Sequence, residues 1–189
     1  MKLILASSSP RRLELLASIG ITPHQILSPD IDESPLKHED VLPYVKRIAL
    51  LKAQVVHKQV REAYVLAADT VVEIGGKIVL KAENQEEART ILTRLSGRRH
   101  RVYTGVCVIS PEGKEACRTV LTRVSFKRLS MEELNSFLDS GEWAGRAGAY
   151  SIQGECAKFV KFLSGSYSNV VGLPLYETDN LLKGLGFRD

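Results

Sequence analysis

Apolar positions along the chain follow two periods, and the switches between them mark out the elements. Residues 3–6, LILA, form a short apolar run of the kind a strand buried on both faces produces. SPRRLELLASIG then reads as a helix. Ser9 is its N-cap, Pro10 takes the first helical position, and Leu13, Leu15, Leu16 and Ile19 supply apolar contacts before Gly20 stops it. Residues 27–40, LSPDIDESPLKHED, break the pattern with prolines and charges and are expected to form a surface loop. A long helix is expected over 41–59, with Pro43 tolerated in its first turn and an apolar stripe of Val45, Ile48, Ala49, Val55 and Val56. AYVLAADTVVEI at 63–74 is a nearly continuous apolar strand, and the GG at 75–76 turns it back through KIVL as a hairpin.

The second half is richer in strands. NQEEARTILTRLSG is a helix capped by Asn84, with Glu87 at capping-box spacing and Gly97 as its stop. RVYTGVCVIS and EACRTVLTRVSFKRL are long strands around a PEG turn. SMEELNSFLDSG repeats the capping logic with Ser130, Glu133 and Gly141. A glycine-rich loop, GEWAGRAGAYSIQG, precedes a strand KFVKFL, a turn SGSYSN and a final helix entered at Pro174. No internal repeat or linker interrupts this order. The expectation is one α/β domain over residues 1–189, with room for two lobes.

Composition narrows the class. The chain has 189 residues, 44% of them hydrophobic and 25% charged, ordinary values for a globular domain. No apolar run reaches the roughly 18–20 residues of a membrane-spanning helix. The apolar part of MKLILASSSPRR is too short for the core of a signal peptide, about 7–15 residues, so a cytoplasmic location is expected. The three cysteines, Cys107, Cys117 and Cys156, are odd in number and lack metal-ligand spacing, so free thiols are expected. The net charge of +4 leans towards anionic partners. His24, His38, His57 and His100 show no ligand spacing and are expected at the surface. No GxGxxG, Walker or GxSxG signature is present, which removes a Rossmann turn, a P-loop and an α/β-hydrolase nucleophile.

Three features resist the pattern. Arg11 and Arg12 occupy the first turn of a helix, where the dipole disfavours cations by about 0.3–1 kcal/mol each when exposed. An anion at the preceding serines, Ser7, Ser8 and Ser9, would reverse that sign. Lys52 projects into the apolar stripe of the long helix, where it must snorkel, pair with a carboxylate or meet a ligand. Asp69 interrupts YVLAADTVV, a poor place for an unpaired carboxylate and a good one for a general base or metal ligand. Lys81 lies at the far end of the hairpin that starts near Asp69, and Glu33 sits in the acidic DIDES loop. Serine hydroxyls, cations and carboxylates together suit a phosphorylated substrate.

The segments LASSSPRR, DIDES, LLKAQ, LAADTVV, LSGRRHRVYTGV, AGRAGAYSIQG and GSYSNVVGLPL, in this order and spacing, resemble the Maf nucleotide pyrophosphatases, also called septum formation inhibitor Maf proteins. The resemblance implies hydrolysis of nucleoside triphosphates to monophosphate and pyrophosphate with a divalent cation, Mg or Mn. It implies an elongated mixed β-sheet flanked by helices, with two lobes around a cleft, similar to inosine triphosphate pyrophosphatases. By the same resemblance Asp69 is the proton acceptor, and Ser7, Arg12, Lys52 and Lys81 form the phosphate-side set. Glu33, with Asp69, is the metal contact.

Arg11, Thr70 and Gln153 match the dTTP/UTP branch rather than the 7-methyl-GTP branch, which carries Trp, Gln and Glu there. With Ser9 they complete the expected substrate contacts. Gln153 could pair with the O4/N3–H edge of a pyrimidine. Ala82 stands where the family usually has proline after the lysine, and Ser151 where glycine is common. The expected partner is a nucleoside triphosphate, with neither membrane nor nucleic acid, and a homodimer is a family-level expectation. Two alternatives stay open: a 7-methyl-GTP pyrophosphatase, and a non-catalytic nucleotide-binding regulator of cell division.

Overall fold

Strand β1 (Leu3–Ala6) is buried at all four positions, and that burial sets the architecture. In the computed structural model, which describes residues 1–188, β1 lies between β2 (Gln25–Ile26) and β3 (Tyr64–Ile74), parallel to both. Its register on β3 runs from Leu3 opposite Tyr64 to Ala6 opposite Ala67. Helix α1 (Pro10–Ser18) connects β1 to β2, and α2 (Val41–His57) connects β2 to β3. Parallel crossovers are right-handed, and β1→β2 and β2→β3 run in opposite directions across the sheet, so α1 and α2 lie on opposite faces.

The chain continues through β4 (Lys77–Val79), α3 (Gln85–Leu95), β5 (Arg99–Ile109), β6 (Glu115–Phe126) and α4 (Met131–Asp139). Two short 3-10 turns, β7 (Val160–Ser164), α5 (Tyr167–Val171) and α6 (Leu175–Gly184) complete it. The sheet has seven strands in the order β2-β1-β3-β5-β6-β7, with β4 antiparallel on β3. This is the expected mixed sheet flanked by helices.

The chain divides into two compact units. The first comprises Met1–Asp69, Thr104–Val120 and the segment from Gly172 onward; the second comprises Thr70–Tyr103 and Leu121–Val171. In the first unit both faces of the sheet are covered. Leu3, Leu5, Leu66, Ala68, Val106 and Val108 pack with Leu16 of α1 and Leu181 and Leu182 of α6. The alternate positions, Ile4, Ala6, Val65, Ala67, Cys107 and Ile109, pack with Ala49, Ala53 and Val56 of α2. Helix α2 approaches closely at Gly105, where an added Cβ would stand 2.4 Å from the Val45 carbonyl oxygen. No other residue fits there without moving the helix.

In the second unit, α3 and α4 start as the sequence implies. Asn84 Oδ1 accepts from Glu87 N at 2.9 Å, and Ser130 with Glu133 forms a full capping box. The turn at Gly75 and Gly76 has φ of 60° and 80°, the two positive values a type I′ hairpin needs.

The structure departs from expectation at four places. Strand β2 is only two residues long, below what a pattern can show. Part of the expected SGSYSN turn is the five-residue α5. His100 is buried rather than at the surface, at 2% exposure, with Nε2 2.7 Å from the Tyr150 hydroxyl and edge-on contact to Phe126. Cys107 and Cys117 are joined in a disulfide across β5 and β6, against the expectation of free thiols. The two are ten residues apart in sequence and face each other because the hairpin folds about the PEG turn, with Cα atoms 4.1 Å apart. Cys156 is free and buried.

Candidate functional site

Position 69 follows from strand parity. Val65 and Ala67 face α2, so Asp69, two residues on, faces the same side. Lys52 lies between Ala49 and Ala53 on the turn of α2 that rests against that face. The two meet: Lys52 Nζ is 2.8 Å from Asp69 Oδ1. Lys52 is 7% exposed and Asp69 6%, so neither finds its partner in bulk water. Of the three fates open to this lysine, the structure shows pairing, and doubly so, because Glu33 Oε1 lies 2.9 Å from the same Nζ.

Glu33 comes from the loop between β2 and α2, which is tied down at several points. The Tyr44 hydroxyl donates to the Glu33 carbonyl at 2.8 Å. Ser34 N donates to Asp32 Oδ1 at 2.9 Å. Arg47 donates to both carboxylate oxygens of Glu39, at 2.7 and 2.6 Å, and to the Ser34 carbonyl at 3.2 Å. Bidentate pairs of this kind fix geometry as well as charge. Burial pushes the Tyr44 phenol up, with the Asp69 and Glu33 carboxylates adding to the rise, so it stays protonated and remains a donor.

The serine segment sits at the carboxyl end of β1. Ser7 is buried, and its Oγ accepts from Arg12 Nη1 at 3.0 Å and from Ser9 N at 3.2 Å. Arg12 Nε donates to the Gly172 carbonyl at 2.8 Å. Burial lowers the Arg12 guanidinium from its ordinary value, while Asp69 and Glu33 pull it back up; an arginine so placed remains charged. Ser9 is the N-cap of α1, as expected, but its side chain makes no capping bond. Arg11 Nη1 is enclosed and has no hydrogen-bond partner among the described residues.

Ser7, Arg12, Glu33, Lys52 and Asp69 therefore converge in the first unit. They gather just past the carboxyl end of β1, beside the middle of β3, where the parallel pairing of the two strands has ended at Ala67. Lys81, Thr70 and Gln153 belong to the second unit. Lys81 and Gln153 are exposed, and Thr70 is half-buried. The β3–β4 register pairs Val72 with Val79; followed two residues past the end of β4, it brings Lys81 level with Thr70.

Sequence reasoning missed Tyr44, whose aromatic ring in an apolar stripe carries no sign of its hydroxyl contact. It also missed the Gly172 carbonyl, a backbone group that no side-chain pattern reveals.

The donor set fits a divalent cation delivered with phosphate. Glu33 and Asp69 offer two carboxylates, and no group of three or more His, Cys, Asp or Glu among the described residues is placed to hold a metal. Mg²⁺ commonly takes one or two carboxylates and completes its shell with substrate phosphates and water. The charges agree: Arg12 and Lys52 already balance Glu33 and Asp69, so a polyphosphate needs further positive charge to enter.

Fold and site thus define an open α/β protein with two cations and two carboxylates gathered just past the carboxyl end of β1. The family described as Maf-like protein matches residues 2–185, and the chain belongs to it. A protein of Agrobacterium fabrum named dTTP/UTP pyrophosphatase is 51% identical, covering 98% of this chain and 93% of its own. One of Caulobacter vibrioides with the same name is 52% identical, covering 98% and 96%. Among solved structures, the Ham1 protein of Staphylococcus aureus aligns at TM-score 0.50 with 15% identity, over 67% of this chain and 72% of its own. A HAM1 protein of Coxiella burnetii aligns at 0.50 with 16% identity, over 68% and 74%. The fold is similar to theirs.

Proposed function

We propose that the chain is a pyrophosphatase that hydrolyses dTTP and UTP, and modified pyrimidine triphosphates of the same shape, to the nucleoside monophosphate and pyrophosphate. The observation that carries this reading is the buried Lys52 ammonium held between Asp69 and Glu33. The names of relatives at about half identity supply the substrate class.

Asp69 accepts a proton from a water that attacks the α-phosphorus; the new P–O bond forms as the bond to the β-phosphate bridging oxygen breaks. Lys52 holds the Asp69 carboxylate in place and, with Arg12, meets the negative charge that builds on the phosphates. Ser7 orients the Arg12 guanidinium, and Ser9 completes the phosphate-side contacts. Lys81 supports the departing pyrophosphate, and Arg11, Thr70 and Gln153 mark the choice of base. Glu33 and Asp69 would hold Mg²⁺ or Mn²⁺, which would supply Lewis-acid polarisation of phosphate oxygens. The reading treats residues 1–189 as one Maf-like domain of the cytoplasm. No helix among the described residues is long and apolar enough to cross a membrane.

Turnover in ¹⁸O-water with UTP, dTTP and 7-methyl-GTP tests it. Label in UMP or dTMP and none in pyrophosphate is the expected result. Label in pyrophosphate would contradict attack at the α-phosphorus, and preference for 7-methyl-GTP would contradict the substrate class. No turnover with Mg²⁺ or Mn²⁺ would favour a binding protein instead.

A further inference from the structure

The second unit carries a concavity that the catalytic reading does not use. It has a volume of about 430 Å³ and is lined by Arg99, Arg123, Val124, Ser125, Phe162 and Ser164. Three strands build it. Ser125 pairs with Phe162 and Arg123 with Ser164 across β6 and β7. The β5–β6 hairpin is bracketed by Ser110 N to Lys114 O at 2.9 Å and Phe126 N to Arg98 O at 3.0 Å. A constant register between those bonds sets Arg99 opposite Ser125 and Arg101 opposite Arg123. The face then reads as two rows: Arg99, Ser125, Phe162, and next to it Arg101, Arg123, Ser164.

The charges on this face are unequal in their pairing. Arg101 Nη1 donates to Glu73 at 2.8 Å. Arg99 and Arg123, on neighbouring strands, have no ion-pair partner among the described residues. By this register Arg123 stands directly opposite Arg101 and diagonal to Arg99, and like charges directly opposite on a sheet are unfavourable unless compensated. Phe162 beside them is 58% exposed, a large ring with nothing on it. Ser125 and Ser164 add hydroxyl donors between ring and cations. A cavity of this size falls in the small-ligand range, about 300–1,000 Å³.

We propose that this face is a second, non-catalytic binding site for a free nucleoside phosphate. Its base stacks on Phe162, and its phosphate is held by Arg99 and Arg123 with the serine hydroxyls. The lining holds a single aromatic ring, whereas a single-stranded nucleic acid is held by successive rings along a track. None of the lining residues belongs to the set assigned to catalysis, and this proposal does not depend on what that set hydrolyses.

UMP, a nucleotide with no anhydride bond to hydrolyse, is the probe. Binding to the full chain is counted by equilibrium dialysis, with uridine, inorganic phosphate and oligouridylate titrated in parallel. Phe162→Ser and the pair Arg99→Ser with Arg123→Ser change exposed positions, and circular dichroism checks their folding. The expected result is an equivalent of UMP additional to any held as product at the catalytic cluster, and this equivalent alone weakens about tenfold or more in both variants, in line with losing charged hydrogen bonds or a stacked ring. Uridine and phosphate alone should bind at least that much more weakly. UMP stoichiometry and affinity identical in wild type and both variants would overturn the proposal. So would oligouridylate binding without UMP binding at this face, or concentration-dependent dimerisation abolished by Phe162→Ser without any change in UMP binding. Turnover of triphosphates is read separately, so failure here leaves the catalytic reading standing, and the reverse.

Discussion

Strand β5 is two strands in one. In the second unit, Arg99 to Val102 alternates exposed and buried; in the first unit, Thr104 to Ile109 is buried throughout. The alternating half has one face on a core of His100, Phe126 and Tyr150 and the other open. The continuous half is covered by helices on both faces. A charge on the open face is hydrated and says little by itself. A charge in the doubly covered half must be compensated, so Asp69 and Lys52 stand out there as Arg99 and Arg101 do not.

The largest effect that would sharpen this contrast is expected at Lys52. Lys52→Met keeps the apolar stem but leaves Asp69 buried without its cation, which should cost about 3–5 kcal/mol. Pyrophosphate release should fall far further than stability does. A variant that melts normally and still turns over would remove Lys52 from the site.

His100 provides the second effect, within the alternating half. Burial pushes its imidazole down to about 4 from an ordinary 6.5. The unfolded chain therefore binds more protons between those values, and stability rises with pH across the window. The contribution is complete above about pH 6.5 and is lost as pH falls through 4, roughly 3 kcal/mol in all. Denaturant melts of wild type and His100→Phe from pH 7 to 4 should show the shallower acid limb in the variant.

Reduction of Cys107–Cys117 comes next, acting on the doubly covered half. Opening a cross-link over so short a loop should cost about 2–3 kcal/mol. Thermal melts with and without dithiothreitol measure it; an unchanged melting temperature would contradict the staple. The smallest effect is expected at the open face, where Arg123→Ser should shift stability by no more than about 0.5 kcal/mol. A large loss there would mean that the face is not open.

The same contrast explains what the sequence could show. Lys52 and Asp69 were legible because a charge inside an apolar stripe or run is improbable without a partner. The caps of α3 and α4 and the GG turn were legible because each is a local rule with its own residue types. His100 was legible only by strand parity, flanked by Arg99 and Arg101 and sharing its face with Val102, and the lack of ligand spacing does not carry that signal. The disulfide was not, because cysteine spacing alone does not give the β5–β6 register. Tyr44 was hidden by its ring, and Gly105 by having no side chain at all. The resemblance to the Maf family pointed to Lys81 and Gln153, which lie exposed in the second unit, where burial offers no signal.

The most direct test of the central claim is pyrophosphate release by Asp69→Asn. The amide oxygen can still accept from Lys52, and Glu33 still pairs with the ammonium, so the fold should hold, with a melting temperature within a few degrees of wild type. Release from UTP and dTTP should fall by about 10²–10⁴-fold or more, the loss expected for a general base. A folded Asp69→Asn chain that hydrolyses UTP at the wild-type rate would contradict the account.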